Sequence, residues 1–317
     1  MITSSESVAE HRSSRVRELL ASLAAVPALV VGAIVMSRSG VGYGLWLQNV
    51  VVGAILTVVC VVLAAVPAYR ARASSAVWTG AAIVALLVLA AALTQAGVEG
   101  VRRWLPIGPL RLHVASVALP VLVIAIARQV SSGAERNRPL LARIVAIAAV
   151  ATLLMQPDAS QASAFGLAVA VLFLRGRRPS SADWLVVTIV AVCAGATWFR
   201  SDPLAPVSYV EGVVGLAADM GLAWLIACLV ALVLLPLPFL VIAVSRKREG
   251  TAHLAIAVYL VAVCAAPFMG AYPVPVIGYG LSPILGYFVA LVWSVRDQAA
   301  PRGSIAVDAN ASSSETA

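Results

Sequence analysis

The residues best suited to chemistry lie in one stretch, Phe199–Gly221 (FRSDPLAPVSYVEGVVGLAADMG), which holds three of the chain's fourteen acidic residues. Asp202 and Glu211 sit in an irregular loop punctuated by Pro203 and Pro206. Asp219 falls about two helical turns beyond Glu211, inside the start of an apolar run. An acid this close to hydrocarbon is costly, and by default it marks a functional site or a buried ion pair. Glu211 is the leading candidate for a general base, with Asp202 second. A helix starting just beyond Glu211 favours its ionised form, which a base requires. Asp202 before a proline is also a common turn former. Asp219 can pair with an arginine such as Arg200.

Cations and further polar groups fall in three other breaks between apolar runs. Arg102-Arg103-Trp104 precedes Pro106-Ile107-Gly108-Pro109, which turns into the fourth apolar run. Two guanidiniums at a membrane surface suit a pyrophosphate, because each offers a planar fork of donors and stays charged. The same triplet also suits an interfacial anchor, with Trp at headgroup level beside arginines that snorkel to lipid phosphates. Gln156-Pro157-Asp158 is a three-residue turn, in which Asp158 either caps the next helix or contributes to a shared polar pocket. Tyr272–Pro283 packs proline and glycine closely around Tyr279, which predicts non-helical backbone, either a tight exterior turn or a segment dipping to membrane depth. Such backbone is tolerated at membrane depth only against protein or a water-filled cavity. Together Arg102, Arg103, Asp158, Arg200, Glu211 and Tyr279 are expected to surround one outward-facing cavity. The histidines take no part in this reading: His113 starts the fourth run, and no pair has metal spacing.

A membrane frame must position these loops. The chain is 62% hydrophobic and 11% charged, with a mean hydropathy of +0.98. Soluble domains run at about 45–50% and about 25%. The net charge of +8 does not point to nucleic acid, because the basic residues lie between apolar runs, where topology accounts for them. About twenty apolar residues cross a bilayer. On that ruler the chain is all-α, a polytopic bundle of ten transmembrane helices at 19–36, 46–68, 77–96, 112–128, 139–155, 159–174, 182–198, 213–244, 252–268 and 276–295. Pro236 and Pro238 kink the far half of the eighth. The four cysteines, Cys60, Cys193, Cys228 and Cys264, all fall inside these runs as packing residues. Residues 1–18 and 297–317 read as tails, on either side of one membrane domain at 19–296. With the N-terminus inside, seventeen basic residues fall on the inner face and five on the outer. That bias predicts cytoplasmic termini and an outward-facing site.

The order and spacing of these loops resemble the SEDS family of bacterial cell-wall proteins, which includes FtsW and RodA. Arg102-Arg103-Trp104 with Ile107-Gly108-Pro109 is similar to the family's Arg-Trp…Leu-Gly-Pro element before the fourth helix. Gln156-Pro157-Asp158 matches its Gln-Pro-Asp before the sixth, and Pro273–Pro283 resembles the segment that opens its tenth. The chain departs from the family in its short loop between helices seven and eight, where the family's aspartate aligns near Val210, beside Glu211. It departs again in the fourth helix, where Ser116 and Leu119 align with a glutamate and a lysine.

The resemblance implies a protein of the bacterial inner membrane that serves peptidoglycan synthesis, in division or cell shape. There it would polymerise lipid II-type sugars carried on a polyprenyl pyrophosphate. On that reading Glu211 and Asp202 are catalytic, and Arg102, Arg103, Trp104, Gln156, Asp158, Arg200, Asp219 and Tyr279 bind substrate. The implied partners are membrane lipids and a transpeptidase-type membrane protein, with no nucleic acid. No cofactor is fixed, a divalent cation staying open. Two other classes remain: a non-catalytic binder of lipid-linked substrate or partner, and a flippase. A flippase calls for ionisable groups deep within its helices, and Asp219 near the outer end is the only such acid.

Overall fold

The computed structural model describes residues 19–66, 74–131, 138–175 and 178–299. The tails at 1–18 and 300–317 and the basic connections at 67–73 and 132–137 lie outside the described residues. Twelve α-helices and one two-stranded hairpin are found among the described residues. In order they are α1 (Val26–Arg38), α2 (Tyr43–Ala65), α3 (Ser75–Ala91), β1 (Trp104–Ile107), β2 (Leu110–His113), α4 (Val114–Ser131), α5 (Arg138–Met155) and α6 (Ala159–Arg175). There follow α7 (Ser181–Thr197), α8 (Val213–Asp219), α9 (Leu222–Leu234), α10 (Leu237–Arg246), α11 (Thr251–Ala265) and α12 (Leu281–Ala299).

Six helical stretches here are long and apolar enough to cross a membrane, from Leu19–Arg38 to Thr251–Phe268, and three shorter apolar helices lie among them. The all-α polytopic bundle predicted from hydropathy is thus the observed fold. α4 is its axis, packed against α3, α5, α6, α11 and α12 and buried on nearly every face. α6 packs against α11 and α7, so Phe165, Phe173 and Phe288 close a core that never meets lipid. α1, α2, α3 and α9 instead turn Val30, Ile55, Val84 and Val233 outward, as helices bathed in hydrocarbon do.

Three elements depart from the sequence reading. The segment after Trp104 forms an antiparallel hairpin, with Trp104 opposite His113 and Ile107 opposite Leu110. Gly108 carries a φ of +58° at its tip, the value that a two-residue loop needs at its first central position. The eighth run, expected to be continuous to its proline kink, is cut into α8, α9 and α10. Gly221, at φ +113°, breaks it first, and Pro236 breaks it again where a kink was expected. The last helix begins at Leu281, five residues after the expected start, because Tyr272–Gly280 is irregular. That irregular segment is buried at Val274, Val276 and Ile277, so it lies against protein as its composition requires.

Candidate functional site

Arg103 gathers three loops. It is 7% exposed, and the hairpin that begins at Trp104 aims it into the bundle. Its Nε donates to the Gln156 carbonyl at 3.0 Å, and Nη2 donates to the Pro157 carbonyl. The same Nη2 lies 2.8 Å from Asp202 Oδ2. One guanidinium therefore joins the hairpin, the Gln-Pro-Asp turn and the loop that carries Glu211. An arginine is suited to this role because its fork meets several oxygens in one plane. Arg102 points the other way: it is exposed, and its Nη1 donates to the Leu93 carbonyl at 3.1 Å.

Asp158 is buried beneath this junction. Its Oδ1 accepts from Ser160 Oγ at 3.2 Å and from the Gln161 amide at 3.3 Å, which is the helix-capping role expected of it. Its Oδ2 lies 3.0 Å from His113 Nε2, and His113 Nδ1 lies 2.8 Å from Ser116 Oγ. Burial works to raise the Asp158 carboxyl. The His113 contact, the nearby charges of His113 and Arg103 and the Gln161 amide outweigh it and hold the group below its ordinary value. His113 corrects the sequence reading, which gave the histidines no part. It ends β2, donates its backbone N–H to Ser282 Oγ at 2.8 Å, and meets the Trp104 ring at 6.1 Å between centroids.

Glu211 is half-buried one residue before the α8 N-cap. Its Oε2 accepts from the Val207 amide at 2.7 Å. Burial raises its carboxyl most. The backbone bonds from Val207 and its own amide oppose this, Asp202 adds to it, Arg103 opposes it, and the net shift is upward. The expected pull of a helix N-terminus toward the ionised form thus loses to burial, since α8 is only seven residues long. Glu211 shares its loop with Asp202, whose carboxylate Arg103 holds. Asp202 is itself the turn former that its proline suggested, with Oδ1 accepting from the Leu204 amide at 3.2 Å.

The opening of α12 is tied to the same loop. Val274 and Tyr279 donate backbone N–H bonds to the carbonyls of Val210 and Tyr209, at 3.0 and 2.8 Å. The rings of Tyr209 and Tyr279 meet edge to face at 6.0 Å. Asn49 on α2, buried and unremarked in the sequence reading, donates to the Gly278 carbonyl at 2.9 Å and accepts from the Gly280 amide at 3.3 Å. A lone asparagine within the apolar run 46–68 was the available signal. Gln156 is wholly buried and donates through Nε2 to the Leu89 carbonyl at 2.7 Å, a structural tie between α3 and the turn.

Two candidates stand apart. Asp219 is exposed at the last residue of α8, where the Gly221 break leaves it in the open instead of at a buried pair. Arg200 is exposed just past the end of α7 and is not in an ion pair with Asp219. The junction therefore unites Arg103, Asp158, Asp202, Tyr279 and His113 with the loop that carries Glu211, while Arg102, Arg200 and Asp219 are exposed outside it. No three His, Cys, Asp or Glu side chains converge on a metal-sized site among the described residues.

The sequence profile described as cell cycle protein, of FtsW, RodA and SpoVE, matches residues 15–208. The chain belongs to the FtsW/RodA/SpoVE family. It is accordingly a multi-pass membrane protein of cell-wall synthesis. The match takes in the hairpin, the Gln-Pro-Asp turn and Asp202, and ends three residues before Glu211. The fold is similar to the crystal structure of Thermus thermophilus rod shape determining protein RodA in an aspartate-to-alanine mutant, with TM-score 0.65 and 18% identity over 88% of this chain and 97% of that one. Its unmutated form gives TM-score 0.58 and 18% identity over 88% and 96%. A chain from a peptidoglycan synthase complex, solved to follow the coordination of polymerization and crosslinking, gives 0.62 and 18% over 88% and 97%. At this identity the likeness concerns the fold. No curated protein matches the chain.

Proposed function

We propose that this protein is a glycosyltransferase that polymerises lipid II-type sugars carried on polyprenyl pyrophosphate, at the outer face of a bacterial inner membrane. The observation that carries the reading is the loop of Asp202 and Glu211, which Arg103 ties to the Gln-Pro-Asp turn and which packs against the strained opening of α12. Val276 there holds a φ of +66°, a cost that β-branched residues bear where surrounding structure demands it. In the reaction, a sugar hydroxyl attacks the anomeric carbon of the growing chain, and the lipid pyrophosphate leaves with the bonding electron pair. Glu211, its basicity raised by burial, takes the hydroxyl proton. Arg103, held at the junction, faces the charge that builds on the pyrophosphate. The name of the peptidoglycan synthase complex supports a transpeptidase-type partner.

A second reading has its own observation. Arg103 is already engaged by Asp202 and two carbonyls, and the family's charged pair in the fourth helix is replaced by Ser116 and Leu119. A protein that holds the lipid-linked substrate without turning it over would be built this way. Polymerisation of labelled lipid II by the purified protein, alone and with candidate transpeptidase partners, separates the two. Glycan strands in either arm support the enzyme. Binding of lipid II with no strands in both arms supports the binder.

A further inference from the structure

Asn49 lies on α2 at 2% exposure, where an amide is costly unless both of its ends are bonded. Both ends go to the same short segment. Nδ2 donates to the Gly278 carbonyl at 2.9 Å, and Oδ1 accepts from the Gly280 amide at 3.3 Å. A side-chain amide thus stands in for a peptide group beside the irregular backbone of Val274–Gly280. We propose that Asn49 is a positioning residue for Glu211, acting through that segment, an inference that rests on the enzyme reading above.

The segment has little shape of its own. Among the described residues it makes two backbone bonds within itself, from Ile277 to Pro275 at 2.8 Å and from Gly278 to Val274 at 3.0 Å. Pro275 has no N–H to give, and Val276 and Gly280 hold φ of +66° and +145°. Backbone of this kind persists only where its surroundings over-determine it. Asn49 supplies that hold at Gly278 and Gly280. At Val274 and Tyr279 the segment holds the loop in turn, through the carbonyls of Val210 and Tyr209.

Neither hold has slack. A methyl on Gly278 would meet the Val210 carbonyl at 2.5 Å, and one on Gly32 of α1 would meet the Ile277 carbonyl at 2.3 Å. A shift of the segment at Asn49 therefore finds no empty space before it reaches Val210. Glu211 follows Val210 directly. Its amide donates to the Val207 carbonyl at 3.0 Å, and its carboxylate accepts from the Val207 amide at 2.7 Å, so the turn from Val207 to Glu211 moves as one piece. The carbonyls of Tyr209 and Val210 attach that piece to α12, and Asn49 sets where they sit.

The test compares Asn49→Leu, which keeps a branched side chain and removes both bonds, with Gly32→Ala, which pushes on Ile277 while Asn49 stays intact. In lipid II polymerisation by the full-length protein with its transpeptidase-type partner, each should lower kcat by about 10², the cost of about 1 Å of misplacement, with KM within about twofold. Added to Glu211→Gln, Asn49→Leu should slow turnover no further, a result that a general loss of structure would not give. Hydrogen exchange should quicken at the Val274 and Tyr279 amides in both variants, with α4 and α6 still protected. Wild-type kcat in both variants, a further loss in the double variant, or a raised KM at unchanged kcat would each overturn the proposal. A wild type that makes no glycan would end the enzyme reading alone. Quickened exchange would then still uphold Asn49's hold on the loop, and unchanged exchange would overturn it.

Discussion

Replacing Arg103 by methionine removes the charge and the fork but keeps most of the length. Two charge-assisted bonds to the Gln156 and Pro157 carbonyls are lost, at about 1.5–3 kcal/mol each. The contact with Asp202 adds little, because that carboxylate is 33% exposed and can be rehydrated. Such a pair is worth about 0–1 kcal/mol. Partial relaxation of the three loops lowers the sum, so a cost of about 4 kcal/mol is expected. Asp202→Asn removes only the ion pair and costs at most about 1 kcal/mol. At roughly 2–4 °C per kcal/mol, Arg103→Met should lower the apparent melting temperature by roughly 8–16 °C, and Asp202→Asn by no more than roughly 4 °C. A thermal ramp with a thiol-reactive dye reads this directly, since Cys60, Cys228 and Cys264 are buried until the bundle opens. If the two variants melt alike, or Arg103→Met loses less than about 3 °C, Arg103 is not the junction of the three loops.

Asp158, held below its ordinary value, contributes stability that is complete above pH about 4 and is lost as pH falls through the lowered value. The advantage of wild type over Asp158→Asn should therefore shrink on acidification, and a gap unchanged from pH 7 to pH 3 would contradict the assignment. Glu211 has the opposite sign: its raised carboxyl contributes stability present below the ordinary value and lost as pH rises through the folded one. Glu211→Gln, which can still accept from the Val207 amide, should melt higher than wild type at pH 7, with the gain fading toward pH 4. A variant that melts lower at pH 7 would show that the carboxylate is not strained there. Reporter fusions at Pro206 and Lys247 should report opposite sides of the membrane, and the same side for both would refute the bundle's topology.

The frame was legible in the sequence because a bilayer allows so few solutions. Twenty apolar residues between basic connections can only be a helix, and the prolines at Pro236 and Pro238 named their own break. The proline- and glycine-rich opening of α12 was legible for the same reason, as backbone that must find protein to bond with. What escaped were features decided over a few residues by geometry. In WLPIGPLRLH the Gly-Pro turn was legible but the strands on either side of it were not, and the hairpin they form takes His113 from the expected helix start to a carboxylate. Gly221 carries no hydropathy signal, so Asp219 looked buried in a continuous helix when the break leaves it exposed. Partnership was the least legible of all. Arg103 and Asp202 are ninety-nine positions apart, and nothing in either loop announces the other.

The central claim is that Glu211 is the base of a polymerising enzyme, and its most direct test is the rate of labelled lipid II polymerisation by wild type against Glu211→Gln. The purified protein would be assayed with its transpeptidase-type partner present, and lipid II binding measured in parallel. Loss of a general base predicts a rate lower by about 10²–10⁴ with binding unchanged. Polymerisation by Glu211→Gln at the wild-type rate would contradict the claim.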